Sequence, residues 1–215
     1  MPTLVIGNKN YSSWSLRPWL ALKAAGVDFD EQVIPLNQPD TREHLDKVSP
    51  AGLVPVLIDG ELTIWDSLAI IEWAAEQGET PIWPEDPHAR AIARSVSAEM
   101  HAGFYPLRKH CPVNIRRRNP PRERDPGVTA NVARIEQLWS DCRARYGKGG
   151  PFLFGAFSAA DCMYAPVATR IRTYSLPVSK ESAAYIDAIY DHPDFRQWAE
   201  DAADEPWTNP TNDID

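Results

Sequence analysis

A chain of 215 residues with 22 Lys and Arg against 30 Asp and Glu carries a formal charge of −8, which speaks against general affinity for nucleic acid or anionic membrane surfaces. A hydrophobic share of 43% suits a globular protein with a real core, and no stretch approaches the ~20 apolar residues of a membrane span. The opening MPTLVIGNKN has too short an apolar run for a signal peptide, so a cytoplasmic setting is expected. Cys111, Cys142 and Cys162 make no CxxC pair or other metal spacing, and an odd number argues against a disulfide framework. No metal site is expected.

In chain order, Thr3 to Ile6 reads as a strand, Gly7 to Asn10 as a polar turn, and YSSWSLRPWLAL, Tyr11 to Leu22, as the start of a helix. Leu16, Trp19 and Leu20 repeat at the spacing of one buried face. With Ser15 as N-cap, Pro18 falls in the first turn, where a missing donor costs nothing. Ser12 and Ser13 then lie in the loop ahead of the helix. Unpaired N–H groups and the positive end of the helix dipole make that loop a place for an anion. Taken by themselves, the three serines serve equally well as caps and turn formers.

Phe29 to Leu36 reads as a short strand and Thr41 to Val48 as a brief helix. Val54 to Ile58, the Asp59-Gly60 turn and Leu62 to Trp65 read as a hairpin. Asp66 and Ser67 open a helix with Leu68, Ile71 and Ala75 on one face and Gly78 as its stop. After the proline-rich connector 81–87 only helical patterns follow: His88 to His110, Val128 to Tyr146, Ser158 to Thr173, Glu181 to Tyr190 and Pro193 to Ala203. Ser158 and Asp161 fit a capping box. The expected architecture is α/β plus all-α: a βαβ-ββα unit over 1–80, a linker over 81–87 and a helical domain over 88–215.

That order and length resemble the cytosolic glutathione transferases, whose first domain is thioredoxin-like. Three stretches carry the resemblance: YSSWSLRPWLAL, similar to the serine-type active-site motif of the zeta class, LVPVLIDGELTIWDSLAIIEW, similar to the glutathione-binding segment, and FSAADCMYAPV, similar to the N-capping motif of the helical domain. The resemblance implies a detoxification-type transferase with glutathione as cosubstrate, a small hydrophobic electrophile as second substrate, and a homodimer.

Aligned from Ala21-Leu22, Ser12 matches the catalytic serine, with Tyr11 and Ser13 as alternative donors to sulfur. Val54 and a cis Pro55 would pair with the cysteinyl backbone of glutathione. Ser67 would hold the γ-glutamyl carboxylate and Asp66 face its ammonium, although the family usually has Glu or Gln before that serine. His44 and Lys47 are candidates for the glycyl carboxylate by location. The electrophile pocket is expected from Trp14, His101, Phe104, Tyr105 and Arg108, with His101, Tyr105 and Arg108 on one face of a single long helix. Ser12, Ser13 and Trp14, in place of a cysteine there, close a cysteine-based reductase route. Trp14 stands where zeta-class maleylacetoacetate isomerases carry cysteine, so a glutathione-dependent isomerase or a catalytically weak binding protein are the alternatives.

Overall fold

The structure, a computed structural model, describes residues 1–214. Its first third builds a four-stranded sheet from β1 (Thr3–Ile6), β2 (Asp30–Val33), β3 (Val56–Asp59) and β4 (Leu62–Trp65), in the order β2-β1-β3-β4. β1 runs parallel to β2 and antiparallel to β3, and β3 pairs antiparallel with β4. The apolar run Leu4, Val5 and Ile6 is buried to 0% exposure, as befits an inner strand. β2 is the exposed Asp-Glu-Gln-Val edge, its charges discouraging a further strand from pairing there. Val54 and Pro55 precede β3, and the peptide between them is cis.

Helix α1 (Ser13–Ala25) is the hinge of the packing. It lies against α3 (Ser67–Gln77) on the sheet side and against α7 (Ala159–Thr173) and α9 (Pro193–Asp204) on the other. Leu16, Trp19 and Leu20 are fully buried. Trp19 meets Trp198 of α9 edge-on at 5.3 Å, a favourable aromatic geometry. One continuous apolar core therefore runs from the sheet into the helices. The short α2 (Thr41–Val48) sits at the side over a smaller cluster of Val5, Ile34, Leu45 and Val56.

The remaining helices are α4 (Pro87–Ala102), α5 (Tyr105–His110), α6 (Pro126–Tyr146) and α8 (Lys180–Asp191). The single helix expected over His88 to His110 is thus two. The Gly103 N–H closes α4 on Glu99 O at 2.9 Å, and Phe104 turns to φ 59°. Pro106 explains the break, because inside a continuous helix its ring would meet the carbonyl four residues back. In the first turn of α5 it costs nothing.

The start of α1 also differs from expectation. Ser12, not Ser15, is the N-cap, its Oγ accepting from the Ser15 N–H at 3.3 Å. Pro18 then lies inside the helix and leaves the Trp14 carbonyl without its usual helical donor.

Candidate active site

The turn before Ser12 is polar yet wholly buried, from Gly7 to Tyr11. Its groups are spoken for by the far end of the chain. Glu205 accepts from the Lys9 and Asn10 N–H groups at 2.6 and 3.0 Å. Lys9 Nζ reaches Glu31 and Asp201 at 2.7 and 2.6 Å and lies between the Trp19 and Trp198 rings. Asn10 Oδ1 accepts from the Arg116 N–H at 3.0 Å, and Trp198 Nε1 donates to Lys9 O at 2.9 Å. This web holds Ser12, 6% exposed, at the N-terminus of α1. Ser12 Oγ lies 2.7 Å from Ser15 Oγ, which itself accepts from the Gly7 N–H at 3.0 Å.

Beside this helix terminus lies a cavity of about 300 Å³ lined by Trp14, Ala51, Leu53, Val54, Pro55, Trp65, Asp66 and Ser67. Ser67 opens α3 and is 1% exposed, but its hydroxyl has no hydrogen-bond partner. A buried hydroxyl left unpaired costs stability unless something else fills it. It sits beside the free N–H groups of a helix start, where an anion is favoured. Asp66 caps the same helix, Oδ1 accepting from the Leu68 N–H at 2.8 Å. Its backbone is held at φ 76°, ψ 133°, a conformation that an L-residue adopts only under strain. His101 Nε2 lies 3.3 Å from Asp66 Oδ2, and the His101 ring meets Trp14 edge-on at 5.3 Å.

Three arginines gather on the inner side of Trp14. Arg17 lies over its ring at 4.3 Å and Arg108 at 5.6 Å, while Arg170 Nη2 donates to Ser13 Oγ at 3.4 Å. Arg17 and Arg170 are 1% and 4% exposed. Burial first, then the charges of Arg170 and Arg108, push Arg17 down to about 9, with Asp66 opposing. Burial likewise pushes Arg170 down to about 10. Both stay cationic at neutral pH. Arg17 Nε and Nη1, Arg108 Nε and Arg170 Nε are buried without partners, so this cluster holds positive charge in excess of its counter-ions. The cysteines take no part: all three are buried, and burial raises each thiol above its ordinary range.

The glutathione S-transferase N-terminal domain model matches residues 11–77 and the C-terminal domain model residues 124–201. A zeta-class glutathione S-transferase of Euphorbia esula is 32% identical over 158 residues, covering 69% of each chain. The chain belongs to the glutathione S-transferase family. Its likeness is to the zeta class, and membership makes it a glutathione-dependent enzyme. A probable maleylacetoacetate isomerase of Caenorhabditis elegans is 36% identical over 108 residues, so the match spans about half the length of that relative. The fold is that of a Burkholderia glutathione transferase homolog with bound glutathione, at a TM-score of 0.73, 21% identity and coverage of 95% of this chain and 99% of that one.

In this transferase Trp14, Val54, Pro55, Asp66 and Ser67 come together on one cavity, while other expected positions do not join it. The Tyr11 hydroxyl turns the opposite way, donating toward Asp213 at 3.1 Å and accepting from Asn209 N–H and Arg116. It is a tie to the C-terminal tail and has no proton left for sulfur. Ser13 faces Arg170 instead. Lys47 pairs with Glu43 at 2.7 Å and His44 Nδ1 lies 3.6 Å from Asp40, both on the outer surface of α2 and outside the cavity lining.

The shared face of His101, Tyr105 and Arg108 dissolves with the helix break. Tyr105 is 64% exposed and Phe104 joins the core. Asp66, expected to face only an ammonium group, is divided between its cap and His101. Sequence reasoning missed Arg17 and Arg170, which stand inside ordinary-looking helical runs. It also missed Lys9, Asn10 and Glu205, whose partners lie too far along the chain for spacing to reveal.

Proposed function

We propose that this transferase binds glutathione across the Trp14–Ser67 cavity, ionises its thiol with the Ser12 hydroxyl, and transfers it to a small electrophile carrying a carboxylate. In this reading residues 1–80 hold glutathione and residues 88–215 complete the electrophile pocket beyond the linker 81–87. The observation that carries it is the unpartnered Ser67 hydroxyl at a helix start, facing the same cavity as Val54 and Pro55. A tripeptide with a free carboxylate supplies the missing acceptor there. The backbone N–H and C=O of Val54 serve the cysteinyl unit as a strand would.

The arginine cluster refines the second substrate. The expected electrophile was simply hydrophobic, but unbalanced buried cations beside Trp14 favour an anionic one. The same charge lowers the cost of a thiolate nearby. This observation also favours the second reading, a glutathione-dependent isomerase like the maleylacetoacetate isomerases among the relatives, acting on an unsaturated acid by addition and elimination of the thiolate. Turnover without consumption of glutathione distinguishes it.

Two substitutions test the assignment. Ser67→Ala should weaken glutathione binding by roughly tenfold, the worth of one hydrogen bond to a charged group. Arg108→Gln should lower kcat/KM for a carboxylate-bearing electrophile by roughly tenfold, again one charge-assisted contact, and leave a neutral aryl halide within about twofold of wild type. Equal losses on the acidic and neutral electrophiles would reject the anion preference. Family likeness extends the reading to a cytoplasmic, detoxifying homodimer, and the exposed Leu62 of edge strand β4 supports the dimer. Sedimentation at the mass of one chain would contradict the dimer.

A further inference from the structure

Ser15 is fully buried one turn into α1, and serine is not a residue that a helix interior favours. Its hydroxyl has two neighbours, and together they settle the direction of the bonds. The Gly7 N–H, at the end of β1, points at Ser15 Oγ from 3.0 Å and occupies one lone pair. Ser12 Oγ lies 2.7 Å away on the other side, and either oxygen could be the donor between them. If Ser12 gave its proton inward, the buried Ser15 proton would lack an acceptor among the described residues. If Ser15 donates, its own proton is satisfied, and the proton left without an acceptor is that of Ser12, the more exposed of the two at 6% against 0%. Ser12 Oγ then receives both the Ser15 O–H and, at 3.3 Å, the Ser15 N–H.

We propose that Ser15 is a positioning residue for the reaction: anchored by the Gly7 amide, it fills the lone pairs of Ser12 and leaves Ser12 only a proton to offer the glutathione sulfur. A hydroxyl in that state cannot accept from S–H. It discriminates against the thiol and for the thiolate, and it loses no rotational freedom when the sulfur arrives. The relay Gly7 N–H to Ser15 to Ser12 also polarises the last O–H, since hydrogen bonds in a chain strengthen one another. Gly7 suits its end of the relay, because a Cβ there would lie 2.6 Å from Leu36 Cδ1. The inference rests on Ser12 being the donor to sulfur, as argued above.

The readout is the titration of enzyme-bound glutathione, followed by thiolate ultraviolet absorbance, in the full-length protein saturated with the tripeptide. Ser15→Ala should raise the apparent pKa of the bound thiol by about one unit, a roughly threefold loss of thiolate at neutral pH that is recovered at alkaline pH. Glutathione affinity should change little. Ser15→Thr, which returns the hydroxyl, should restore the wild-type curve. Should Ser15→Ala fail to fold, Ser15→Cys fills the space with a weak donor and carries the same expectation.

In a Ser12→Ala background, adding the Ser15 change should raise the pKa no further. Wild-type titration in Ser15→Ala or Ser15→Cys, or failure of Ser15→Thr to restore a shifted curve in a folded protein, overturns the relay. If Ser12→Ala itself leaves the thiol unchanged, the Ser12 reading falls first. If Ser12→Ala shifts the thiol and Ser15→Ala does not, only the relay falls.

Discussion

Ser12→Ala is expected to lower kcat/KM for glutathione transfer by roughly 25-fold at neutral pH, the loss of thiolate when the thiol returns to its free pKa, with glutathione binding reduced only a few-fold. A free thiol ionises near 8.5, so only a few per cent is nucleophilic at pH 7. Bringing that value down by about two units takes roughly 2.7 kcal/mol. One charge-assisted hydrogen bond at a helix N-terminus, beside three arginines, is of the right size to supply it. The tripeptide itself would be gripped elsewhere, at Ser67 and Val54, so affinity and reactivity should separate. The pH profile adds a second check: raising the pH replaces what the hydroxyl did, so the gap between variant and wild type should narrow in alkaline buffer. A rate unchanged by the substitution would remove Ser12 from the mechanism, and an equal loss of binding would make it an anchor instead.

How far the sequence predicted this site depended on the range of the interactions involved. Thr3 to Ile6, the Leu16–Trp19–Leu20 face and the hairpin before Ser67 are encoded by neighbours a few residues apart, and they form as expected. Pro18 looks like a first-turn residue and so points to Ser15 as the N-cap. The surrounding core nevertheless holds the proline in the helix interior, and the cap moves back to Ser12. Pro106 sits inside a run of helical spacing, and the break it enforces separates His101 on α4 from Tyr105 and Arg108 on α5.

The support of the catalytic turn was beyond local reading. Lys9 meets Glu205 across 196 positions, and Tyr11 meets Asp213 across 202. Nothing in the pattern around either partner announces the other. Likewise nothing local marks Arg116, within the basic loop 114–127, as the residue that donates to Glu205 O and Trp207 O and straps the tail over the turn. The charge of that loop is partly spent on architecture before any substrate arrives.

The largest loss of stability is expected at Asp161, far from the sulfur. Its carboxylate, 0% exposed, accepts from Leu153 N–H at 3.1 Å, Tyr185 O–H at 3.0 Å, Ser158 N–H at 2.9 Å and Ser158 O–H at 2.8 Å. It closes the capping box of α7, the helix on which α1, α4 and α8 all pack. Asp161→Ala strands these donors in an apolar interior, where each unsatisfied group costs about 1–3 kcal/mol. Even with partial relaxation the total should exceed about 3 kcal/mol, or roughly 10 °C in Tm for a chain of this size.

Asp161→Asn separates charge from geometry. Burial pushes the Asp161 carboxyl up to about 6 from its ordinary 3.8, against hydrogen bonds from Leu153, Ser158 and Tyr185 that pull it down. Between those two values the folded chain holds a proton that the unfolded chain has released, so stability falls as pH rises through that window. The advantage of Asp over Asn should therefore be greatest below the lower value, shrink across the window and stay flat above it. Chemical denaturation of the two proteins across that range measures the slope directly. An advantage that instead grows with pH would mean that the four donors outweigh burial and hold the carboxylate below its ordinary value.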